Sequence, residues 1–137
     1  MAEVYVLDSY AVLALLGNEA GSDQVKAVLQ RAQAQVFMSW VNVGEVAYIV
    51  ERRRGKALVF QVLGALEATR IRLVAVGREL ALKAAEIKAT YPLAYADAFA
   101  AALAFDVSGT LLTGDPEFKA LDDLISIEWL PQKAPGT

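Results

Sequence analysis

The sequence predicts an α/β domain in which a five-stranded parallel sheet lies between two layers of helices. Short β-favouring runs alternate with helical patterns from end to end, and no tight hairpin signal joins consecutive strands. The length of 137 residues is enough for one domain with a core and too short for two. In folds of this class, ligands bind at the carboxyl ends of the strands.

The first half of the chain contains two predicted strands and four predicted helices. The strands cover 3–7 and 36–39, and the helices cover 9–16, about 22–32, 41–54 and 57–68. Ser22 or Asp23 is expected to cap the second helix, because short polar side chains accept from free backbone N–H groups there. Gly17 and Gly55 mark the ends of the first and third helices.

The second half contains three predicted strands, at 72–76, 110–113 and 125–129. One helix ends before Pro92, and a very apolar helix runs from Tyr95 to Phe105. A short helical piece follows Gly114-Asp115-Pro116. We expect residues 1–130 to form a single domain and the Pro/Gly-rich stretch 131–137 to form a flexible tail.

The composition restricts the chemistry that this chain can perform. It contains no Cys and no His, which excludes disulfides, thiolate zinc sites and histidine acid–base catalysis. Any bound metal must therefore be held by oxygen, which favours Mg²⁺ or Mn²⁺. The net charge of −3 argues against binding of nucleic acid through an overall positive field alone.

The sequence carries no targeting or membrane signal. The N-terminus lacks a basic region, and apolar runs such as Ala98–Phe105 are far shorter than the roughly 18 residues of a membrane span. We therefore expect a cytoplasmic protein with no membrane partner.

Two acids stand at or just after predicted strand ends. Asp8 follows the first strand, and Asp115 follows the fourth. Each also has a purely structural interpretation as an N-cap, and Pro116 after Asp115 suits the first position of a helix. Ser9 and Thr113 lie next to these strand ends and could orient a carboxylate.

Two further acids lie on predicted helices. Asp97 is the only charged residue between Lys88 and Asp106, so it is either a carboxylate on a mostly buried helix or a cap at its start. Glu45 lies in the middle of the third helix, where a glutamate is usually solvated, and Asn42 lies three residues earlier on the same face. In a parallel sheet all four acids can converge on one pocket, which would require a divalent cation to offset their repulsion.

The order of these motifs resembles the PIN domain family, and within it the VapC-type toxins, over nearly the whole chain. Val6-Leu7-Asp8-Ser9 closes the first strand, and Glu45 follows the second. An aspartate opens the Ala-rich helix in Tyr95–Ala102. The run Thr113-Gly114-Asp115-Pro116-Glu117-Phe118 is the most distinctive local match.

The resemblance implies a three-layer α/β/α fold and an Mg²⁺- or Mn²⁺-dependent ribonuclease. It assigns Asp8, Glu45, Asp97 and Asp115 to the acidic catalytic and metal site. Ser9 and Thr113 match the family's hydroxyl positions, and Glu117 matches a position that is often acidic. Gly114 stands where a polar residue such as Asn is common, and we expect no chemical consequence. The resemblance also implies a homodimer and a small antitoxin that blocks the site.

The mechanistic hypothesis is in-line hydrolysis of an RNA phosphodiester, leaving a 5′-phosphate and a 3′-hydroxyl. Substrate phosphates need local basic side chains on this acidic protein. The basic residues that end the third helix, Arg52, Arg53, Arg54 and Lys56, could hold them. They could equally be solvated and complement the helix dipole. Arg70, Arg72 and Arg78 form a looser second group.

Three other functions were compared with this one. A haloacid-dehalogenase-like phosphatase usually has a second aspartate two residues after the first, where this chain has Tyr10. A receiver domain needs an aspartate after the third strand, where Gly77 and Arg78 stand. A PIN-fold module that binds RNA or protein without cleavage stays open, and a metal titration would separate it from a nuclease.

Overall fold

Five short strands form one parallel sheet in the computed structural model, which describes residues 3–131. The strands are β1 (Glu3–Leu7), β2 (Ala34–Ser39), β3 (Arg72–Val74), β4 (Thr110–Thr113) and β5 (Ser126–Trp129). They lie in the order β3-β2-β1-β4-β5, and every neighbouring pair is parallel. The predicted fold class is confirmed.

The connections between strands are helical. The helices are α1 (Ser9–Leu16), α2 (Ser22–Gln30), α3 (Trp40–Arg54), α4 (Lys56–Ala68), α5 (Arg78–Thr90) and α6 (Tyr95–Asp106), with a 3₁₀ helix at Pro116–Leu121. The predicted cap of α2 is wrong, because Gly21, in the left-handed conformation with φ 93°, holds that position instead of Ser22 or Asp23. The third strand is also shorter than predicted and ends at Val74.

The sheet separates two hydrophobic cores, because alternate residues of each strand point to opposite faces. In β1, Tyr5 and Leu7 belong to the core formed with α1, α2, α3 and α4, whereas Val6 belongs to the core formed with α5, α6 and the 3₁₀ helix. Leu7 and Val6 are both fully buried. Burial of one such side chain contributes about 1.5–3 kcal/mol to stability.

The chain changes direction across the sheet at β1, since β2 lies on one side of it and β4 on the other. Leu7 is in register with Leu112, so Asp8, which directly follows β1, lies beside Thr113, the last residue of β4. This is the switch in strand order where α/β sheets bind ligands.

Two expectations concern the ends and the exterior of the molecule. Of the tail predicted at 131–137, only Pro131 belongs to the described residues, where it is exposed, and the rest lies outside them. Within residues 3–131, no helix combines the length and the apolar character needed to cross a bilayer.

Candidate metal centre

A buried hydroxyl joins the carboxyl ends of β1 and β4. Thr113 Oγ1 donates a short hydrogen bond to Asp8 Oδ2 and accepts one from the Asp115 backbone N–H at 3.0 Å. Asp8 Oδ1 accepts from the Ala11 backbone N–H at 2.9 Å, so Asp8 is also the N-cap of α1. The interpretation of Asp8 as an N-cap is therefore confirmed, and the same carboxylate lies at the carboxyl end of β1 beside Thr113. Ser9, on the first turn of α1, is buried beside it.

Three more carboxylates meet next to this pair. Asp97, Asp115 and Glu117 each offer one oxygen, and these oxygens all lie within 4.8 Å of one another. Asp115 Oδ1 also accepts from the Glu117 backbone N–H at 3.0 Å and caps the 3₁₀ helix. The cap position of α6 is held by Ala94, so the interpretation of Asp97 as a cap is wrong. Asp97 is instead a buried carboxylate in the first turn of that helix.

Glu45 of α3 is a further acid close enough to act on this group. It is half-buried on α3, and its charge acts on both Asp8 and Asp97. Its Oε1 atom is buried, and within residues 3–131 it has no hydrogen-bond partner. A buried acceptor without a partner costs about 1–3 kcal/mol, so this oxygen calls for a ligand.

Burial and the neighbouring negative charges disfavour ionisation of Asp8 and Asp97. Burial raises the pKa of Asp8 to about 7; the hydrogen bonds from Thr113 and Ala11 oppose the rise, and the charges of Asp115 and Glu45 add to it. Burial likewise raises the pKa of Asp97 well above its usual range, helped by its hydrogen bond with Glu117 and by the neighbouring charges. Such a group of acids is electrostatically unfavourable unless a cation shares the site.

The donor set fits a hard divalent cation. All available ligand atoms are carboxylate oxygens, which Mg²⁺ and Mn²⁺ prefer. Asp97, Asp115 and Glu117, whose oxygens cluster, would hold such a cation, and the unbonded Oε1 of Glu45 is a further candidate ligand. Its charge would also offset the repulsion that raises the two pKa values.

Sequence reasoning missed how the two acid-bearing helices are joined. The fully buried Asn42 of α3 donates from Nδ2 to the Ala96 carbonyl of α6 at 3.0 Å. Its Oδ1 accepts from the Ser39 hydroxyl at 2.7 Å, and Ser39 Oγ accepts from the Asn42 backbone N–H at 3.2 Å. A serine at the junction of strand and helix is a local N-cap signal, so Ser39 could have been found from the sequence.

Gly114 has a structural role that the sequence did not indicate. A Cβ atom on this residue would lie 2.4 Å from Cε1 of Tyr10, so only glycine admits the tyrosine ring there. The Tyr10 hydroxyl donates to the Pro131 carbonyl at 3.0 Å. Gly114, which stands where the family usually has a polar residue, thus makes room for the Tyr10 ring at the edge of the site.

The first group of basic residues lies on the surface at the junction of α3 and α4. Arg52, Arg53, Arg54 and Lys56 are exposed, and the Arg52 guanidinium lies 5.1 Å from the ring centroid of Tyr48. Arg53 and Arg54 line an apolar groove of about 460 Å³ between α1, α3 and α4. A smaller adjoining pocket holds both Arg53 and Tyr10. Because the Tyr10 ring abuts Gly114, this surface leads from the arginines to the edge of the acidic site.

The second basic group has structural partners. The Arg70 guanidinium donates to the main-chain carbonyls of four residues around the turn from α2 to β2, namely Leu29, Arg31, Ala32 and Ala34. Arg72 lies over the Phe37 ring, and Arg78 forms an exposed ion pair with Glu79. None of these contacts involves the acidic site.

The sequence matches the family model of the PIN domain over residues 5–124. No curated protein sequence matches this chain significantly.

The fold is similar to several solved structures. The sarcin-ricin-loop-cleaving toxin VapC20 of Mycobacterium tuberculosis is 19% identical with a TM-score of 0.75, over 93% of this chain and 99% of that chain. VapBC2 of Rickettsia felis, bound to a DNA fragment from its promoter, is 16% identical with a TM-score of 0.74, over 93% and 99%. FitAcB of Neisseria gonorrhoeae is 22% identical with a TM-score of 0.63, over 90% and 95%. At these identities the likeness establishes the fold.

Proposed function

Because this chain belongs to the PIN domain family, we propose that it is a ribonuclease dependent on a divalent metal, and that it acts as the toxin of a toxin–antitoxin pair. The structural neighbours include VapC and VapBC structures, which supports the second part of the proposal. The proposed substrate is RNA, and the proposed location of the protein is the cytoplasm.

The observation that carries the proposal is the gathering of five carboxylates at the switch point of the sheet. Asp8, Glu45, Asp97, Asp115 and Glu117 come from four separate parts of the chain. A fold gains nothing in stability from collecting like charges around buried oxygens. A catalytic cation explains why they are held together.

We assign Asp8, Glu45, Asp97 and Asp115 as the catalytic acids that hold Mg²⁺ or Mn²⁺, with Glu117 as an outer acid. When bound, the cation lowers the pKa of water and offsets negative charge on the phosphate. All four acids offer carboxylate oxygens, which are the ligands that these ions prefer.

The chain's own residues orient the reaction. Thr113 holds Asp8 through its hydroxyl and Asp115 through its backbone N–H, so one side chain aligns two of the acids. Water attacks phosphorus in line, the new O–P bond forms as the P–O3′ bond breaks, and the products carry a 5′-phosphate and a 3′-hydroxyl. No histidine is needed for this route.

The RNA backbone is proposed to follow the surface from the α3–α4 junction to the acidic site. Arg52, Arg53, Arg54 and Lys56 would contact phosphates there, with Arg53 nearest the edge because it shares a pocket with Tyr10. These contacts would hold the strand without reading its sequence.

Protein partners are proposed on family grounds, with two surfaces that support them. The apolar groove lined by Arg53 and Arg54 offers a docking surface for an antitoxin segment next to the acidic site. Leu82 on α5 and Phe105 on α6 are large exposed hydrophobic residues that can contribute to a homodimer interface.

The test is cleavage of a mixed RNA pool by wild type and by Asp8→Asn, with Mg²⁺ or Mn²⁺ and with EDTA. Asp123→Asn is the matched control, because Asp123 is an exposed acid outside the site. We expect cleavage by wild type and by Asp123→Asn with the metal only, and a loss of at least about 100-fold in Asp8→Asn.

The products and the metal separate the alternatives. Ends that carry 5′-phosphate support the in-line route, and equal cleavage of single-stranded DNA would overturn the choice of RNA. Mn²⁺ binding by calorimetry without any cleavage would indicate a nuclease whose specific target is absent from the pool, because a binding module has no need of the metal site. Absence of both binding and cleavage in folded protein would end the proposal.

A further inference from the structure

We infer that Asn42 is a positioning residue for the acidic site: its carboxamide fixes α3 against α6 so that Glu45 and Asp97 face the same cation. The inference rests on the proposed metal centre. Asn42 itself contacts neither the metal nor the RNA. It acts only through the placement of the two helices.

Asn42 links the helical turn that carries Glu45 to the residue next to Asp97. Asn42 lies three residues before Glu45, which places both side chains on one face of α3. Its Nδ2 donates to the carbonyl of Ala96, the residue directly before Asp97. One hydrogen bond of 3.0 Å therefore spans the junction between the turns that carry the two carboxylates.

The orientation of the amide is set by its two partners. The Ala96 carbonyl can only accept, so the amino group of Asn42 must face it. Ser39 Oγ already accepts from the Asn42 backbone N–H and can donate its proton to Asn42 Oδ1 at 2.7 Å. A flipped amide would turn its oxygen toward the Ala96 carbonyl, which cannot donate, and would lose the bond between the helices, so the bridge has one geometry.

A buried asparagine is an unusual choice for packing two helices. Asn42 is fully buried, and an apolar side chain of similar size would pack there without the cost of burying an amide. Apolar contacts, however, allow helices to slide and rotate, whereas a directional hydrogen bond fixes one arrangement. The polar residue is therefore explained by precision in the placement of Glu45 relative to Asp97.

The experiment measures Mn²⁺ affinity by calorimetry on the folded full-length chain, with the urea midpoint measured in parallel. Asn42→Leu removes the hydrogen bonds and keeps the approximate volume. Val50→Ala is the matched control, since Val50 is a buried α3 residue that lies about two helical turns beyond Asn42 and packs in the hydrophobic core. Ser39→Ala removes one partner of the amide and keeps the bond to Ala96.

We expect Asn42→Leu to bind Mn²⁺ about 10- to 100-fold more weakly, as is typical when a group that orients metal ligands is lost. Val50→Ala should lower the urea midpoint and leave the Mn²⁺ affinity unchanged. Ser39→Ala should weaken Mn²⁺ binding by a smaller factor, and it carries the test if Asn42→Leu does not fold.

The outcomes separate this inference from the proposed function. Wild-type Mn²⁺ affinity in both Asn42→Leu and Ser39→Ala overturns the positioning role and leaves the nuclease proposal intact. An equal loss of affinity in Val50→Ala also overturns it, because any destabilisation of α3 would then suffice. Weakened Mn²⁺ binding in Asn42→Leu supports the positioning role whether or not the wild type cleaves the RNA pool. A wild type that binds no Mn²⁺ overturns both.

Discussion

Replacement of Asp8 by asparagine should stabilise the metal-free protein while it abolishes cleavage. Asp8 has a pKa of about 7 in the folded protein against an ordinary value of 3.8, mainly because it is buried. The folded state therefore binds more protons than the unfolded state between about pH 4 and pH 7. Stability of the wild type must fall as the pH rises through that window.

The magnitude follows from the two pKa values. Their difference corresponds to about 4 kcal/mol of lost stability above pH 7, since one pKa unit is about 1.4 kcal/mol. Asparagine carries no charge, but it cannot accept both hydrogen bonds that Asp8 receives from Thr113 and Ala11, which costs about 1 kcal/mol. Asp8→Asn should therefore gain about 3 kcal/mol at pH 8 without metal.

Urea unfolding in EDTA at pH 5 and pH 8 tests the reasoning. At pH 5 the folded wild type is still mostly protonated at Asp8, so the advantage of the variant should grow by about 2–3 kcal/mol between the two values. Saturating Mg²⁺ should narrow the gap at pH 8, because a ligand at 100 times its Kd stabilises the binding form by about 2.7 kcal/mol.

Asparagine at an exposed acid serves as the control for this prediction. Asp123→Asn removes an exposed acid and should change stability by less than about 0.5 kcal/mol at either pH. An Asp8→Asn protein that is less stable than wild type at pH 8, or whose advantage does not change with pH, would refute the argument that burial makes this carboxylate costly.

Three further variants test individual contacts. Thr113→Val, which leaves an oxygen of a buried carboxylate unbonded, should lower stability by about 1–2 kcal/mol in urea unfolding and weaken Mn²⁺ binding about 10-fold by calorimetry. Gly114→Ala should cost about 1–3 kcal/mol through its clash with Tyr10, and a double-mutant cycle with Tyr10→Ala should recover most of that loss; additive effects would contradict the clash. Arg70→Ala should cost about 1–2 kcal/mol because it frees four carbonyls between residues 29 and 34, yet leave Mn²⁺ affinity unchanged, and any loss of affinity would place Arg70 in the site.

The parts that the sequence predicted well are those encoded by local patterns. Alternating strand and helix signals gave the fold class, and Gly55 fixed the end of α3 at Arg54. The strand ends before Asp8 and Asp115 were also local, and the parallel topology made their convergence a geometric expectation. Their catalytic roles stay predictions until the variants are measured.

The parts that the sequence did not predict depend on contacts between distant residues. Asn42 and Ala96 are 54 positions apart, and no local pattern indicates that their helices touch. Tyr10 and Gly114 meet only because β1 and β4 are neighbours, and the strand order was not specified by periodicity. Arg70 was grouped with other basic residues by proximity in sequence, whereas its carbonyl partners lie 36 to 41 positions away.

The hydrogen bond between Thr113 and Asp8 joins residues that are 105 positions apart. During translation, at about 5–20 residues per second, roughly 5–20 s separate the appearance of the first acid from that of its partner strand. A nascent or truncated chain that lacks β4 therefore has neither the hydroxyl that orients Asp8 nor Asp115 itself. The acidic site therefore cannot assemble near the ribosome that makes this protein until the last quarter of the chain has been synthesised and has folded onto the first strand.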